Sequence, residues 1–300
     1  MKVLVSDGIE KIGADMMKNA GLEVIEQKMS PEELLEKIGE FDAIVVRSAT
    51  KVTKEVIDKG AKLKAIGRGG VGLDNIDVAY AKSKGIPVLN TPGASSISVA
   101  ELALSHMFGL SRFIGTSNRE MREGLWPKKE YAKGMELTGK TLGIIALGNI
   151  GKEVAKRAIG LGMKVIATDP FVKETDLDVK LMSQDELLNQ ADIITIHAPL
   201  IDGKAVLTKT EFDKMKDGVM VINCARGGVI KEADLLAALN SGKVRYAGLD
   251  VFEKEPPTEA QKELINHPRV SVTPHIGAST EEAQERVGAE IAQKIIDALK

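Results

Sequence analysis

The stretch TLGIIALGNIGKEVAKRAIGLGMKVIATD, residues 141–169, contains the alternation that decides the fold of this 300-residue chain. An apolar run typical of a strand leads into a turn with two glycines, and GKEVAKRAIGLG follows with apolar residues at helical spacing. A second strand-like run, MKVIATD, ends at Asp169, eighteen residues beyond Gly151. A strand, a glycine turn, a helix and a strand with a terminal acid form the pattern of a dinucleotide-binding βαβ unit.

Two glycine stretches compete for the role of cofactor loop. GRGGVG, residues 67–72, fits the pattern G-x-G-x-x-G, whereas ALGNIG, residues 146–151, has Ala146 in the first position. Only a short helix follows GRGGVG, and the next predicted strand ends at Asn90 instead of an acid. The context therefore favours ALGNIG as the cofactor loop, the alternative being an ordinary βα turn without a ligand.

Four residues of this unit have distinct predicted roles. Gly148 would let the backbone approach a pyrophosphate, and Gly151 would let the helix pack on the sheet. The carboxylate of Asp169 would accept a hydrogen bond from a ribose 2′-hydroxyl and repel a 2′-phosphate, so NAD is favoured over NADP. Ala146 is harmless if its φ is negative, but it costs about 1 kcal/mol or more if its φ is positive.

Strand-like and helical stretches alternate on both sides of this unit, which predicts an α/β chain with parallel sheets. The first series contains five predicted strands, at residues 2–7, 22–26, 43–47, 63–67 and 86–90. The second series contains six, namely TLGIIA, MKVIATD, ADIITIH, VMVINCA, VRYAGLDV and RVSVTP. Each series is long enough for a doubly wound sheet of its own.

The two series predict two domains. We expect a flavodoxin-like substrate-binding domain from residues 1–95 and 279–300, and a Rossmann-type NAD-binding domain, residues 96–278, inserted in it. Capping boxes formed by Ser30 with Glu33, and by Ser279 with Glu282, predict the starts of two helices in the substrate domain.

Composition excludes several classes of protein. The net charge of −2 gives no electrostatic case for binding nucleic acid or an anionic membrane. Cys224 is the only cysteine, so we expect no intramolecular disulfide and no metal site, and a reducing, cytoplasmic location is the simple interpretation. The N-terminus turns polar after a few residues, unlike a signal peptide, and no apolar run approaches the roughly 20 residues that span a bilayer.

Residues suited to acid–base chemistry follow three predicted strands of the second series. NCARGGVI places Arg226 after one strand, LDVFEKEPP places Asp250 and Glu255 at and beyond the next, and TPHIGAST places His275 after the last. The carboxyl ends of parallel strands form the ligand-binding edge of such a sheet. We therefore expect these four side chains at one edge.

Hydride transfer between NAD and a hydroxyl carbon also requires transfer of the hydroxyl proton, for which histidine is suited near neutral pH. Glu255 would orient the ring of His275 and raise its pKa. Arg226 would hold a substrate carboxylate and polarise the oxygen being reduced. Taken singly, these residues have structural alternatives: a turn histidine, a solvated Arg-Gly-Gly turn, a surface glutamate and an aspartate that caps a loop.

Seven blocks of the sequence together resemble the D-isomer-specific 2-hydroxyacid dehydrogenases, most closely the phosphoglycerate dehydrogenases of that family. The blocks are VRSATKVT, GRGGVGLDNID, LNTPGASSISVAE, GIIALGNIGKEVA, NCARGGVI, LDVFEKEPP and PHIGASTEEAQ. The resemblance implies that His275 donates and accepts the proton, that Glu255 is its partner and that Arg226 orients the substrate. The NAD contacts that it implies, with Asp250 at the nicotinamide carboxamide, are Val71, Gly148, Asn149, Ile150, Gly151, Asp169, Ala198, Cys224, Ala225, Arg226, Asp250, His275, Gly277 and Ala278.

The resemblance also assigns a role to GRGGVG, which looks like the substrate loop of the family. The residues that it implies as substrate contacts are Arg47, Arg68, Gly69, Gly70, Val71 and Gly72. The backbone amides would bind a carboxylate and the two arginines a phosphate. WPKKEYAKG adds Lys128, Lys129 and Lys133 in a segment that often reaches a partner subunit in this family, which implies a homodimer or higher homo-oligomer; the alternative for these lysines is solvated charge.

The expected reaction is the NAD-dependent oxidation of 3-phospho-D-glycerate to 3-phosphooxypyruvate, leading into serine biosynthesis, in a cleft between the domains. Two alternatives stay open. One is a glyoxylate or hydroxypyruvate reductase of the same family, and the other is a dinucleotide-sensing binding protein that catalyses no reaction. Longer relatives continue beyond the position of Lys300 into a regulatory domain that senses serine, so we expect no feedback inhibition by that route.

Overall fold

All strand pairs in this protein are parallel, as expected where helical crossovers connect successive strands. The structure, a computed structural model, describes residues 1–300. The chain divides into two units, Met1–Ser96 with Ala278–Lys300, and Ile97–Gly277. One sheet has five strands and the other has seven, so the predicted fold class, two doubly wound parallel-sheet domains, is confirmed.

The first unit has the strand order β2-β1-β3-β4-β5, which is that of flavodoxin-like folds. Its strands are β1 (Lys2–Val5), β2 (Glu23–Glu26), β3 (Ala43–Val46), β4 (Ala65–Arg68) and β5 (Val88–Asn90). Its helices are α1 (Lys11–Asn19), α2 (Pro31–Lys37), α3 (Lys54–Lys59), α4 (Val78–Ser83) and α12 (Glu281–Ala298), with a 3₁₀ turn at Ile38–Glu40. The central strand β3 is buried throughout, because helices cover both faces of the sheet.

Helix α12 packs closely on this sheet. A Cβ atom placed on Gly67 of β4 would lie 3.0 Å from Cδ1 of Ile295 and 3.2 Å from Ile291, so glycine permits the approach. Both isoleucines are fully buried. The last helix of the chain is therefore part of the core of the unit that contains its first strand.

The two predicted capping boxes have different outcomes. Ser30 accepts a hydrogen bond from the amide of Glu33, and the Glu33 carboxylate accepts one from the amide of Ser30 at 2.9 Å, so the first box is confirmed. The second prediction was wrong by one residue. Thr280, in an extended conformation, is the N-cap of α12 and accepts a hydrogen bond from the amide of Ala283 at 3.2 Å.

The second unit has the strand order β12-β11-β10-β9-β6-β7-β8, which is the Rossmann order with one strand added at an edge. Its strands are β6 (Thr141–Ile145), β7 (Lys164–Thr168), β8 (Val179–Leu181), β9 (Ile193–Ile196), β10 (Val219–Asn223), β11 (Val244–Leu249) and β12 (Val270–Val272). The helices of this part of the chain are α5 (Ser96–Ser111), α6 (Ile114–Arg122), α7 (Asn149–Gly160), α8 (Gln184–Gln190), α9 (Lys209–Lys214), α10 (Glu232–Ser241) and α11 (Lys262–Ile265), with a 3₁₀ turn at Glu259–Gln261.

The sequence predicted six of these seven strands and missed β8. This strand has only three residues, Val179–Leu181, and it lies at the edge of the sheet with no residue fully buried. Such a strand lacks the continuous apolar run that marks the buried strands.

No single helix has the length and apolar character to cross a membrane, although α5 and α6, which meet at a bend of 62°, have them when taken together.

Candidate active site

The glycine loop ALGNIG connects β6 to α7, as its sequence context predicts. A Cβ atom on Gly151 would lie 2.3 Å from the carbonyl oxygen of Ala146, so glycine is required where the helix passes the turn. A Cβ atom on Gly148 would meet nothing within 4 Å, so the space in front of the helix N-terminus is open. Ala146 has a φ of 73°, which is the less favourable of the two conformations considered for it.

Asp169 lies beside this loop, after the end of β7. Its Oδ2 atom accepts a hydrogen bond from the amide of Leu147 at 2.8 Å, and Oδ1 accepts from the amides of Phe171 and Val172 at 2.8 and 3.1 Å. The carboxylate is thus held next to the open N-terminus of α7. A pyrophosphate at that terminus and a ribose at Asp169 would match these donors and acceptors.

The remaining predicted cofactor contacts divide between the two units. Ile150 is in the first turn of α7, Ala198 follows β9, and the buried residues Cys224 and Ala225 follow β10. Burial strongly raises the pKa of the Cys224 thiol, so it is an unreactive apolar neighbour of the sheet edge. Two further predicted contacts, Val71 and Ala278, belong to the first unit.

His275 and Glu255 lie in hydrogen-bond contact. Nδ1 of His275 is 2.6 Å from Oε2 of Glu255, and Oε1 of Glu255 accepts from the amide of Phe252 at 3.1 Å. The His275 side chain remains 49% exposed, so the other ring nitrogen, Nε2, is available to a ligand. His275 itself has a φ of 54°, in the left-handed region.

The pair shifts the pKa of both partners. The hydrogen bond to Glu255, together with the charges of Glu255 and Asp250, raises the pKa of His275 against the opposing effects of partial burial and the charge of Arg226. Burial acts to raise the pKa of Glu255, but the hydrogen bonds from His275 and from the Phe252 amide, with the charges of His275 and Arg226, lower it overall. A histidine that is easily protonated beside an ionised glutamate is suited to proton transfer.

Arg226 lies on the loop after β10, near this pair. Nδ2 of Asn223 donates to the carbonyl oxygen of Arg226 at 3.0 Å, and Nη1 of Arg226 donates to the carbonyl oxygen of Ala225 at 2.8 Å. A Cβ atom on Gly227 would lie 1.7 Å from the carbonyl oxygen of Phe252, so glycine lets this loop touch the loop that carries Glu255. The charge of Arg226 also acts on the pKa of Glu255.

Asp250 occupies the structural position considered for it as an alternative, that of an aspartate that caps a loop. Its side chain is buried, with 1% of the residue exposed. Oδ1 accepts hydrogen bonds from Oγ1 of Thr273 at 2.6 Å and the amide of Ile276 at 2.8 Å, and Oδ2 accepts one from the amide of Gly277 at 2.8 Å. Asp250 therefore holds the loop of His275 in place through these three hydrogen bonds.

Sequence reasoning missed His106 of α5, which contacts the same loop through Thr273. The only signal for it is a lone histidine in the mostly apolar run LALSHMFGL.

The predicted substrate residues cluster at the carboxyl ends of β3 and β4 in the first unit. Val46 pairs with Arg68 in register, and Arg47 follows directly. Gly70 has a φ of 142°, and a Cβ atom there would lie 1.6 Å from Nη1 of Arg68. Arg47 also lines a small pocket with Gly69. The ends of β3 and β4 thus bring the two arginines to one sheet edge.

The predicted lysines Lys128, Lys129 and Lys133 belong to the second unit and are all exposed. Their suggested role in phosphate binding stays a prediction, as do the roles assigned to the other residues above.

Comparisons with known proteins identify the family of this chain. Residues 104–277 match the family described as D-isomer specific 2-hydroxyacid dehydrogenase, NAD binding domain. Hydroxypyruvate reductase of Thermotoga maritima is 50% identical over 301 residues, which cover 99% of this chain and 98% of that protein. D-3-phosphoglycerate dehydrogenase of Archaeoglobus fulgidus is 47% identical over 305 residues, and this chain spans 58% of its length.

The fold of this chain is also similar to that of a solved structure from the same family. The crystal structure of a glyoxylate reductase from Paecilomyes thermophila superposes with a TM-score of 0.91 at 33% identity, covering 100% of this chain and 95% of that one. With the family match and the 50% identity across almost the whole chain, this shows that the protein belongs to the NAD-dependent D-isomer-specific 2-hydroxyacid dehydrogenases.

Proposed function

We propose that this protein oxidises 3-phospho-D-glycerate to 3-phosphooxypyruvate with NAD, with His275 as acid–base catalyst. The observation that carries the catalytic part is the 2.6 Å contact between Nδ1 of His275 and Oε2 of Glu255. It fixes the ring through Nδ1, and Nε2 of this partly exposed side chain would take the proton of a substrate hydroxyl. Glu255 stabilises the imidazolium that results.

Arg226 complements this pair. Its guanidinium would bind the substrate carboxylate with two parallel hydrogen bonds and place positive charge beside the oxygen at C2. Asn149 and Ile150 of the loop, with Asp169, would hold NAD, which accepts the hydride from C2 of the substrate when it is bound. The open space at Gly148 supports this assignment.

The phosphate part of the proposal depends on Arg47 and Arg68. The register of β3 with β4 supports a shared anion site, since both residues lie at the carboxyl ends of adjacent strands. The amides of the Gly69–Gly72 loop would bind the carboxylate of the same substrate.

A second candidate is the reduction of hydroxypyruvate or glyoxylate. The observation that favours it is the likeness to hydroxypyruvate reductase of Thermotoga maritima, which extends over 98% of that protein. A reductase would use the same three residues in the opposite direction and would not need a phosphate site.

The two candidates differ in what a substrate panel would give. We expect NADH absorbance to appear with NAD and 3-phospho-D-glycerate, and His275→Ala to lower kcat by about 10²- to 10⁴-fold while NAD still binds. We expect Arg47→Ala to raise KM for phosphoglycerate about tenfold or more and to leave KM for D-glycerate unchanged. Lys51→Ala, which removes an exposed positive charge four residues away, is the matched control.

Two results would contradict the proposal. Faster turnover of hydroxypyruvate, with Arg47→Ala neutral toward phosphoglycerate, would assign the protein as a reductase. Binding of NAD with no turnover of any hydroxy or keto acid would assign it as a dinucleotide sensor.

We also propose a cytoplasmic homodimer, or a higher homo-oligomer, that acts in serine biosynthesis. The single, buried cysteine supports a reducing compartment. The exposed apolar residues Ile114, Met121, Leu125 and Trp126, the last being 76% exposed, support a partner subunit on this segment. Light scattering that gives the 32.2 kDa mass of one chain would contradict the oligomer.

A further inference from the structure

His106 is a buried histidine that lies outside the set of residues discussed for the reaction. It is on α5, its side chain is buried with 3% of the residue exposed, and both ring nitrogens contact hydroxyl groups. Nδ1 is 2.9 Å from Oγ of Ser271, and Nε2 is 3.1 Å from Oγ1 of Thr273. Thr273 is two residues before His275.

The direction of each hydrogen bond follows from the number of protons available. The hydroxyl of Thr273 has one hydrogen, and it donates that hydrogen to Oδ1 of Asp250 at 2.6 Å. Toward His106 it can only accept, so Nε2 of His106 carries a hydrogen. Burial lowers the pKa of His106 more than the charge of Asp250 raises it, so the ring is neutral, and Nδ1 accepts from Ser271.

These contacts form one directed chain that ends at the loop of His275. The chain runs from Ser271 through His106 and Thr273 to the carboxylate of Asp250. The same carboxylate accepts hydrogen bonds from the backbone amides of Ile276 and Gly277, both at 2.8 Å. Thr273, Ile276 and Gly277, which flank His275 on both sides, are therefore all hydrogen-bonded to the carboxylate of Asp250.

The backbone of His275 needs such support. Its φ of 54° is unfavourable for a residue with a side chain, and a residue in this region persists only when its surroundings hold it there. Helix α5 packs closely on strand β11 and is hydrogen-bonded to the loop of His275. A Cβ atom on Gly248 of β11 would lie 2.8 Å from Cβ of His106, and Oγ of Ser98 donates to the carbonyl oxygen of Gly277 at 2.7 Å.

We propose that His106 is a positioning residue for His275, acting through Thr273 and Asp250 to hold the His275 ring against Glu255. It contacts neither substrate nor cofactor in this role. The inference rests on the proposed catalytic function of His275.

The test uses the full chain and four variants. His106→Phe keeps a ring beside Gly248 but removes both contacts. His106→Gln keeps a donor near the position of Nε2, whereas His106→Asn keeps a polar group only near Nδ1. Met107→Ala, at the next, fully buried position of α5, is the control for loss of packing alone.

The first readout is the titration of the His275 ring, followed by NMR without turnover, in a protein with only four histidines. We expect the pKa of His275 to fall toward its ordinary value in His106→Phe and in His106→Asn, and to recover in His106→Gln. We expect kcat to fall about tenfold to 100-fold in the first two variants, with the Kd for NAD unchanged. Met107→Ala should lower Tm without moving the titration.

An unchanged His275 titration and kcat in His106→Phe would overturn the proposal. So would an equal titration shift in Met107→Ala, because packing alone would then explain it. If His106→Phe does not fold, Thr273→Val breaks the same chain with a residue of similar shape, and an unmoved titration there has the same meaning. Full activity of His275→Ala would refute the catalytic role of His275, but the titration would still report whether His106 holds the ring.

Discussion

His275 combines an unfavourable backbone conformation with a favourable side-chain contact. Its φ of 54° lies in the left-handed region, which histidine adopts more readily than most residues with a Cβ atom. The contact with Glu255 engages Nδ1, and the proposed catalytic role assigns Nε2 to the substrate. Strain of this kind is found at functional sites because the surrounding structure maintains it.

The proposed role of His275 predicts how the reaction depends on pH, because the pKa of this residue is raised. Oxidation needs the neutral ring, so its kcat/KM should fall as the pH decreases through the raised pKa. Reduction needs the protonated ring and should fall as the pH increases through the same value. Glu255→Gln removes the carboxylate that raises the pKa, so both transitions should move to lower pH, in profiles of kcat/KM measured in both directions.

A charge-neutralising change elsewhere is the control for this experiment. The Glu259 side chain is 84% exposed, and Glu259→Gln should leave both profiles in place. Profiles that do not move in Glu255→Gln would mean that a group other than His275 controls the rate.

Ala146 offers a second prediction about a single residue. Its φ of 73° favours glycine, so Ala146→Gly should increase the free energy of unfolding by up to about 1 kcal/mol. Denaturant unfolding measures this change. The control is Ala233→Gly at an exposed position of α10, where ordinary helical geometry predicts a loss of about 1 kcal/mol. A loss of stability in both variants would show that the conformation at Ala146 is not strained.

Among the elements, buried strands could be predicted from sequence more reliably than edge strands. Strand β3 is a continuous apolar run because both of its faces are covered, whereas β8 is short and half-buried and leaves no such pattern. The start of α12 was misplaced by one residue because Ser279 and Thr280 are both good caps, and only backbone conformation distinguishes them.

The candidate site likewise contains residues that could be predicted from sequence and one that could not. Arg226, Glu255 and His275 could be assigned to one sheet edge because a position after a parallel strand determines the edge. His106 could not, since its partner Ser271 is 165 residues away and no local pattern connects α5 to that loop. Long-range contacts of this kind depend on how helices pack, which spacing along the chain does not encode.

Helix α7 provides a prediction about an element. Gly151→Ala would place a methyl group 2.3 Å from the carbonyl oxygen of Ala146, so the helix must shift. We expect a loss of about 1–3 kcal/mol in unfolding free energy and weaker NAD binding, measured by denaturant unfolding and by titration with NAD.

The same helix contains its own control. A Cβ atom on Gly160 would meet nothing within 4 Å, so Gly160→Ala should be neutral or stabilising by up to about 1 kcal/mol. Equal effects at the two glycines would argue against the steric explanation.

For the whole molecule, cofactor binding should be visible as thermal stability. NAD at a free concentration of 100 times its Kd should add about 2.7 kcal/mol to the stability of the NAD-binding domain, whereas NADP at that concentration should add less, because Asp169 repels its 2′-phosphate. Differential scanning calorimetry with each nucleotide measures the difference. Asp169→Asn keeps a hydrogen-bond acceptor but removes the charge, so it should reduce the difference between the stabilisation by NAD and that by NADP. Equal stabilisation of the parent protein by both nucleotides would contradict the predicted preference for NAD.

The insertion of Ile97–Gly277 into the first unit has a consequence for how the protein is made. Met1–Ser96 are synthesised before this insertion, whereas Ile291 and Ile295, which cover Gly67, are synthesised after it. At about 5–20 residues per second, the 181 intervening residues (277 − 97 + 1) take roughly 10 to 40 seconds to translate. Throughout that interval the apolar face that α12 covers in the folded protein is exposed on the nascent amino-terminal sheet, so we expect a ribosome-associated chaperone to bind it.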